Sequence, residues 1–162
     1  MANLMYKTRG NSTPQGKARV YFCCHPEDFA KFFESASDDI LSKQNCAVWY
    51  AGDGAVRDKD FLEDLRQMQL FVMPVTSNLL YTANDALDTE FKFAIENHIP
   101  VLPLMQEKGL EALFNKKCGD LQFLDKNSTD ATAIGFGEKL QTYLDTVLPQ
   151  YAGFMTKMLG IF

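Results

Sequence analysis

With 162 residues, 46% of them hydrophobic, the chain is long enough for one core covered on two faces and too short for two comfortable domains. A formal net charge of -5, with Lys and Arg scattered along the chain, excludes a nucleic-acid groove, which needs a concentrated basic surface. No apolar run reaches the roughly 18–20 residues of a membrane span, and MANLMYKTRGNSTPQGKA has no hydrophobic stretch after its charges, so a cytoplasmic protein without stable membrane insertion is expected.

Residues 1–17 are polar, rich in Gly, Ser, Thr, Asn and Pro, and aperiodic; they read as a disordered N-terminal arm. Ala18 to His25, ARVYFCCH, is β-branched and aromatic over a short run, the pattern of a buried strand. Pro26, Glu27 and Asp28 suit the first turn of a helix, whose positive end favours acidic side chains. Phe29, Phe32, Phe33, Ala36, Ile40 and Leu41 then recur at helical spacing and predict an amphipathic helix over 27–43. Cys46 to Tyr50 is a short strand, AGDGAVRDKD an exposed loop, and Phe61, Leu62, Leu65 and Met68 mark a helix over 60–68.

Leu70 to Val75, LFVMPV, suits a central parallel strand covered on both faces, with Pro74 expected at a strand end or bulge before the turn TSNLLYTAND. A helix over 84–98 follows, then a buried strand, Ile99 to Leu104, with prolines near its ends. A short helix over 109–116, a minor strand over 121–124 and an amphipathic helix over 137–148 carrying Leu140, Tyr143, Leu144 and Val147 complete the domain. The apolar tail over 149–162 is expected to dock on its own domain or on a partner subunit, weak membrane contact being the alternative. Five strands alternating with helices imply a doubly wound α/β fold, with helices on both faces and right-handed crossovers. Its ligands bind outside the carboxyl ends of the strands, where the loops after Cys24, Tyr50 and Thr76 fall.

The four cysteines, Cys23, Cys24, Cys46 and Cys118, form no CxxC pair and are accompanied by two histidines, so free thiols in a reducing compartment and no metal site are expected. No GxGxxG or GxxxxGK[ST] occurs, and there is no nucleophile elbow for triad chemistry, with His98 at the far end of its helix. The residue with chemistry to offer is Glu90. At about 100° per residue, Leu87, Phe91, Ala94 and Ile95 form one apolar stripe, and Glu90 falls on its flank between Ala94 and Phe93. A carboxylate there is either a desolvated group with a raised pKa at a cleft or a helix-edge glutamate with a basic neighbour. Asp88 projects to another side of the helix, which disfavours a glycosidase-like carboxylate pair. Ser77, Asn78 and Tyr81 are expected to overhang the same edge, and His25 lies just past the first strand, at the ligand edge, where composition alone favours a solvent-facing loop residue.

The order of these motifs resembles a bacterial-type TIR (Toll/interleukin-1 receptor) domain over residues 18–148. RVYFCCHPEDFAKFF is similar to the family's first box, DGAVRDKDFLEDL to its BB loop and following helix, LFVMPVTSN to its central strand, and DTEFKFAIENHIPVLPL to the helix bearing the catalytic glutamate and the strand after it. The resemblance implies a flavodoxin-like, mainly parallel five-stranded sheet and cleavage of the nicotinamide–ribose bond of NAD+, to ADP-ribose or a cyclic isomer. NAD+ is then the substrate and no cofactor is used. Glu90 takes the catalytic place, and Cys24, His25, Pro26, Asp53, Gly54, Phe61 and Ser77 match the nucleotide pocket. Other TIR domains are the implied partners, with homo-oligomerisation accompanying activity. Cys23-Cys24 stands where the first box often reads Ser-Tyr, Ala86 where a tryptophan often precedes the glutamate, and His25 where some members have a basic residue.

Two other readings use the same residues. In a non-catalytic TIR interaction module, loop residues such as Val56 and Arg57 carry the function and Glu90 is structural. In a nucleoside deoxyribosyltransferase, a helix-borne glutamate attacks the sugar, but Asp88-Thr89-Glu90 is too short for that family's Asp-Thr-x-x-Glu spacing.

Overall fold

A computed structural model describes residues 4–43, 45–119, 121, 123–125 and 134–135. The first described segment, Leu4–Thr8 (β1), is a strand and not part of a disordered arm. LMYKT is short, and the polar composition of residues 1–17 as a whole conceals it. Leu4 and Thr8 are buried, Tyr6 packs on Trp49 with ring centroids 5.1 Å apart, and Lys7, pointing to the opposite face, reaches Ser37 and Asp38 at 3.0 and 2.8 Å.

After β1 come β2 (Ala18–Phe22), α1 (Phe29–Lys43), β3 (Cys46–Ala51), α2 (Lys59–Arg66), β4 (Leu70–Val75) and α3 (Ser77–Tyr81). A π-helical segment, Ala86–Phe91, runs directly into α4 (Lys92–Glu96), followed by β5 (Val101–Met105), α5 (Glu111–Cys118), β6 (Leu124–Asp125) and β7 (Ile134–Gly135). The helix expected over 137–148 and the tail over 149–162 lie outside the described residues.

The described strands form a seven-stranded mixed sheet in the order β1-β3-β2-β4-β5-β6-β7. β1 is antiparallel to β3, and every other neighbouring pair is parallel. The α/β class thus holds, while the expected five-stranded sheet is extended by an antiparallel edge at one side and a short strand at the other. Each face has its own core. Val20, Phe22, Val48, Val72 and Leu102 pack against Ile40 and Leu41 of α1, and Tyr21, Trp49, Phe71 and Met73 pack against Phe61, Leu65, Leu79, Phe91 and Phe114.

Pro74 sits one residue from the end of β4, in register with Leu104, near the strand end expected for it. The Val72 carbonyl accepts from Cys23 N, so even-numbered residues of β4 turn their backbone groups toward β2. The β2 ladder ends at the Phe22–Val72 pair, and Pro74, which has no N–H to donate, stands just beyond it. Pro103 is tolerated in the same way: it faces the β6 side one residue before the first β5–β6 pair, Leu104 with Leu124.

The loop expected after β4 is partly helical. Thr76 Oγ1 accepts from Leu79 N at 3.1 Å and caps α3, an N-cap hydroxyl in the position where helices favour one.

Candidate active site

Leaving β2 the chain goes first to β3 on one side and then crosses over to β4 on the other. In an open α/β sheet such a switch point leaves a crevice beyond the strands' carboxyl ends. A cleft of about 440 Å³ opens there, within the size range of small-molecule sites. Phe22, Pro26, Phe29 and Tyr50 line it on the α1 face, the Gly52–Gly54 turn borders it, and Tyr21, Cys24, Arg57 and Glu90 line the rest. The turn closes with Ala55 N donating to Gly52 O at 3.1 Å and needs a positive φ at its third residue, which Gly54 supplies at 73°.

Glu90 is only 1% exposed, well inside the position on the stripe's flank predicted by a regular helix. It lies on the π-helical segment, and Ile95, expected in the stripe, is 44% exposed. His98, at φ 58°, then ends the helix: its N–H donates to Ile95 O, and Ile99 N donates to Ala94 O, turning the chain into β5.

Both carboxylate oxygens of Glu90 are engaged. Tyr21 Oη donates to Oε1 at 2.8 Å, while Arg57 Nε and Nη2 donate to Oε2 at 2.9 and 2.6 Å. Arg57 is itself placed from three sides: Nη1 donates to Ala55 O at 2.9 Å, its guanidinium lies 5.1 Å from the Phe61 ring centroid, and Asp85 Oδ2 is 3.8 Å away. Burial pushes the Glu90 carboxyl above the usual carboxylate range, and the charge and hydrogen bonds of Arg57 pull it back down. Burial, with the charge of Glu90, raises Tyr21 well above the ordinary phenol value, so its hydroxyl is a neutral donor. The same two causes raise Cys23 and Cys24, which keeps both as thiols and leaves neither as a thiolate nucleophile at neutral pH.

Of the residues picked out from sequence, Cys24, Pro26, Asp53, Gly54 and Glu90 line this cleft. The remaining five do not. His25 caps the turn into α1, its Nδ1 accepting from Glu27 N at 3.1 Å; the tautomer this requires donates Nε2–H to Thr82 Oγ1, also at 3.1 Å. Phe61 is a buried support beneath Arg57. Ser77 binds Glu107 Oε2 through its N–H and hydroxyl at 2.9 and 3.2 Å. Asn78 Nδ2 donates to Asp28 Oδ1 at 3.0 Å, and the buried Asp28 also accepts from Thr76 Oγ1 at 2.5 Å, a knot joining the start of α1 to the end of β4. Tyr81 is 68% exposed and belongs to none of these contacts. Arg57, first read only as an interaction residue, and Tyr21 are the two partners of Glu90 that sequence reading did not assign. Strand alternation, which puts Tyr21 and Cys23 on one face, was the available signal for Tyr21.

Among the described residues no group of three or more His, Cys, Asp or Glu is placed to hold a metal ion, and no helix is long and apolar enough to cross a membrane. What the cleft offers is one desolvated carboxylate, fixed by a phenol and a guanidinium. Such a group stabilises positive charge developing on a carbon held above it or orients hydroxyl groups beside that carbon.

The cysteines away from the cleft supply a pH test. Burial pushes Cys46 and Cys118 from the ordinary 9.0 up to about 12, so the folded thiols keep protons that unfolded thiols lose first. Their contribution is fully present below 9 and is lost as pH rises toward 12. In urea unfolding at increasing pH across that interval, the midpoint of the wild type should fall more steeply than that of a Cys46→Ala/Cys118→Ala variant; parallel curves would refute the assignment.

No protein-family model matches the chain, and comparison with curated proteins and with solved structures finds no match to either.

Proposed function

We propose that this chain is a TIR-like NAD+ nucleosidase that cleaves the nicotinamide–ribose bond, releasing nicotinamide and ADP-ribose or a cyclic isomer, and acts when self-associated. The observation that carries this reading is Glu90 at the cleft on the carboxyl edge of the sheet, nearly free of solvent and held by Arg57 and the neutral hydroxyl of Tyr21. Nicotinamide departs as a neutral molecule, so its loss requires no general acid; the demand falls on stabilising an oxocarbenium-like ribosyl carbon and holding the ribose hydroxyls. One desolvated carboxylate meets that demand. Beside β1, five parallel strands run in the order β3-β2-β4-β5-β6, an arrangement compatible with a TIR-like sheet.

A second reading, a non-catalytic TIR interaction module, is favoured by one observation. Glu90 is fully paired with Arg57 and Tyr21, and the neighbouring Val56 is 62% exposed on the same loop. The full chain clustered on beads and incubated with NAD+, with chromatographic identification of products, separates the two. Cleavage that disappears in Glu90→Gln supports the nucleosidase. Absence of turnover in every assembly state, together with loss of self-association on changes within residues 53–59, supports the module.

A further inference from the structure

We propose that β1 completes the cleft by supplying Met5 as the wall of an apolar subsite, shared with Tyr50 and Phe29, that takes the heteroaromatic base of the nucleotide substrate. Met5 stands directly opposite Tyr50 in the antiparallel β1–β3 ladder, so both side chains project from the α1 face of the sheet within contact distance. The Tyr50 ring packs on Phe29, centroids 4.9 Å apart, and on Phe33 at 4.7 Å, which fixes it as a rigid surface. Met5 is 52% exposed although apolar, and it lines the same cleft as Glu90 and Arg57.

The cleft is therefore two-ended. An ionic pair occupies one end, and an aromatic surface with a thioether occupies the other. A nucleotide has the matching polarity: a flat base for the apolar end, and a ribosyl carbon and phosphates for the charged end. Sulfur–ring contacts and ring–ring packing both favour a planar, polarisable group over an aliphatic one. The subsite rests on the nucleotide-cleaving reading of Glu90, and the base is either the nicotinamide or the adenine of NAD+.

The test uses the full chain. Calorimetric titration of Glu90→Gln with adenosine monophosphate and, separately, with nicotinamide measures binding without turnover and identifies which base is bound. Adding Met5→Ala should weaken the dissociation constant for one of these probes by about five- to tenfold, and Met5→Leu should restore it to within about twofold. In a Glu90-intact background, Met5→Ala should raise KM for NAD+ by a similar factor with little change in kcat. If wild type does not turn over NAD+ but the probe affinity still responds to Met5, the subsite stands and the cleavage reading falls. If turnover persists while neither KM nor either dissociation constant responds to Met5→Ala, the subsite is overturned and the cleavage reading stands. Failure of both probes to bind also overturns the subsite.

Discussion

Glu90→Gln is expected to lower NAD+ cleavage by clustered protein by at least about a hundred- to a thousandfold, the scale of removing one preorganised electrostatic group from a transition state. The amide has nearly the carboxylate's shape. Its carbonyl still accepts from either Tyr21 or Arg57, which now reach Oε1 at 2.8 Å and Oε2 at 2.6 Å. In the proposed reaction, what disappears is the charge that would stabilise a cationic ribosyl carbon. Arg57 loses its counterion, but its side chain is 20% exposed and Asp85 stands 3.8 Å away, so its charge keeps access to water and to a second carboxylate. The fold should therefore survive with a Tm lower by about 2–4 °C, corresponding to a cost near 1 kcal/mol in a domain of this size. Turnover within tenfold of wild type, in a variant that melts cooperatively, would remove Glu90 from the chemistry.

The parts of this architecture that periodicity governs were legible in the sequence. The runs at Ala18, Cys46, Leu70 and Ile99 are short and almost wholly apolar, because the strands they become are covered on both faces; β4 and β5 are buried at every position. What periodicity does not govern was hidden. β1 is an edge strand that buries little, so its LMYKT is submerged in the polar composition around it. The π-helical turn at Glu90 leaves no mark on an apolar stripe read at a fixed 100° per residue, and nothing in the local sequence announces that Glu90 lies in the interior and not at the stripe's edge. Loop geometry decided the rest. Ser77 and Asn78 follow the central strand as expected, yet nearby carboxylates, Glu107 and Asp28, claim their polar groups, and nothing in the local sequence announces partners about 30 and 50 residues away.

Arg57→Ala should cost about 2–4 kcal/mol of stability near pH 7, because it leaves a carboxylate buried without its counterion; breaking a fully buried pair typically costs 3–5, and Arg57 is partly in contact with water. The loss should depend on pH in a defined direction. Burial already lifts the folded Glu90 above its ordinary 4.5, and Arg57 is the main group pulling it down, so the variant's folded value rises further. Between 4.5 and that higher value the native state holds a proton that the unfolded state has released. Stability therefore falls as pH rises through the interval, and the deficit of Arg57→Ala should shrink as pH is lowered toward 4.5, where Glu90 enters the fold as a neutral acid. The wild type follows the same sign over a narrower interval. Urea unfolding of wild type, Arg57→Ala, Glu90→Gln and the double variant closes a thermodynamic cycle. The double variant should be less destabilised than the sum of the singles, since no buried charge remains uncompensated in it. A deficit that stays constant with pH, with strictly additive singles, would instead place the contribution of Arg57 in its packing on the Phe61 ring, 5.1 Å away.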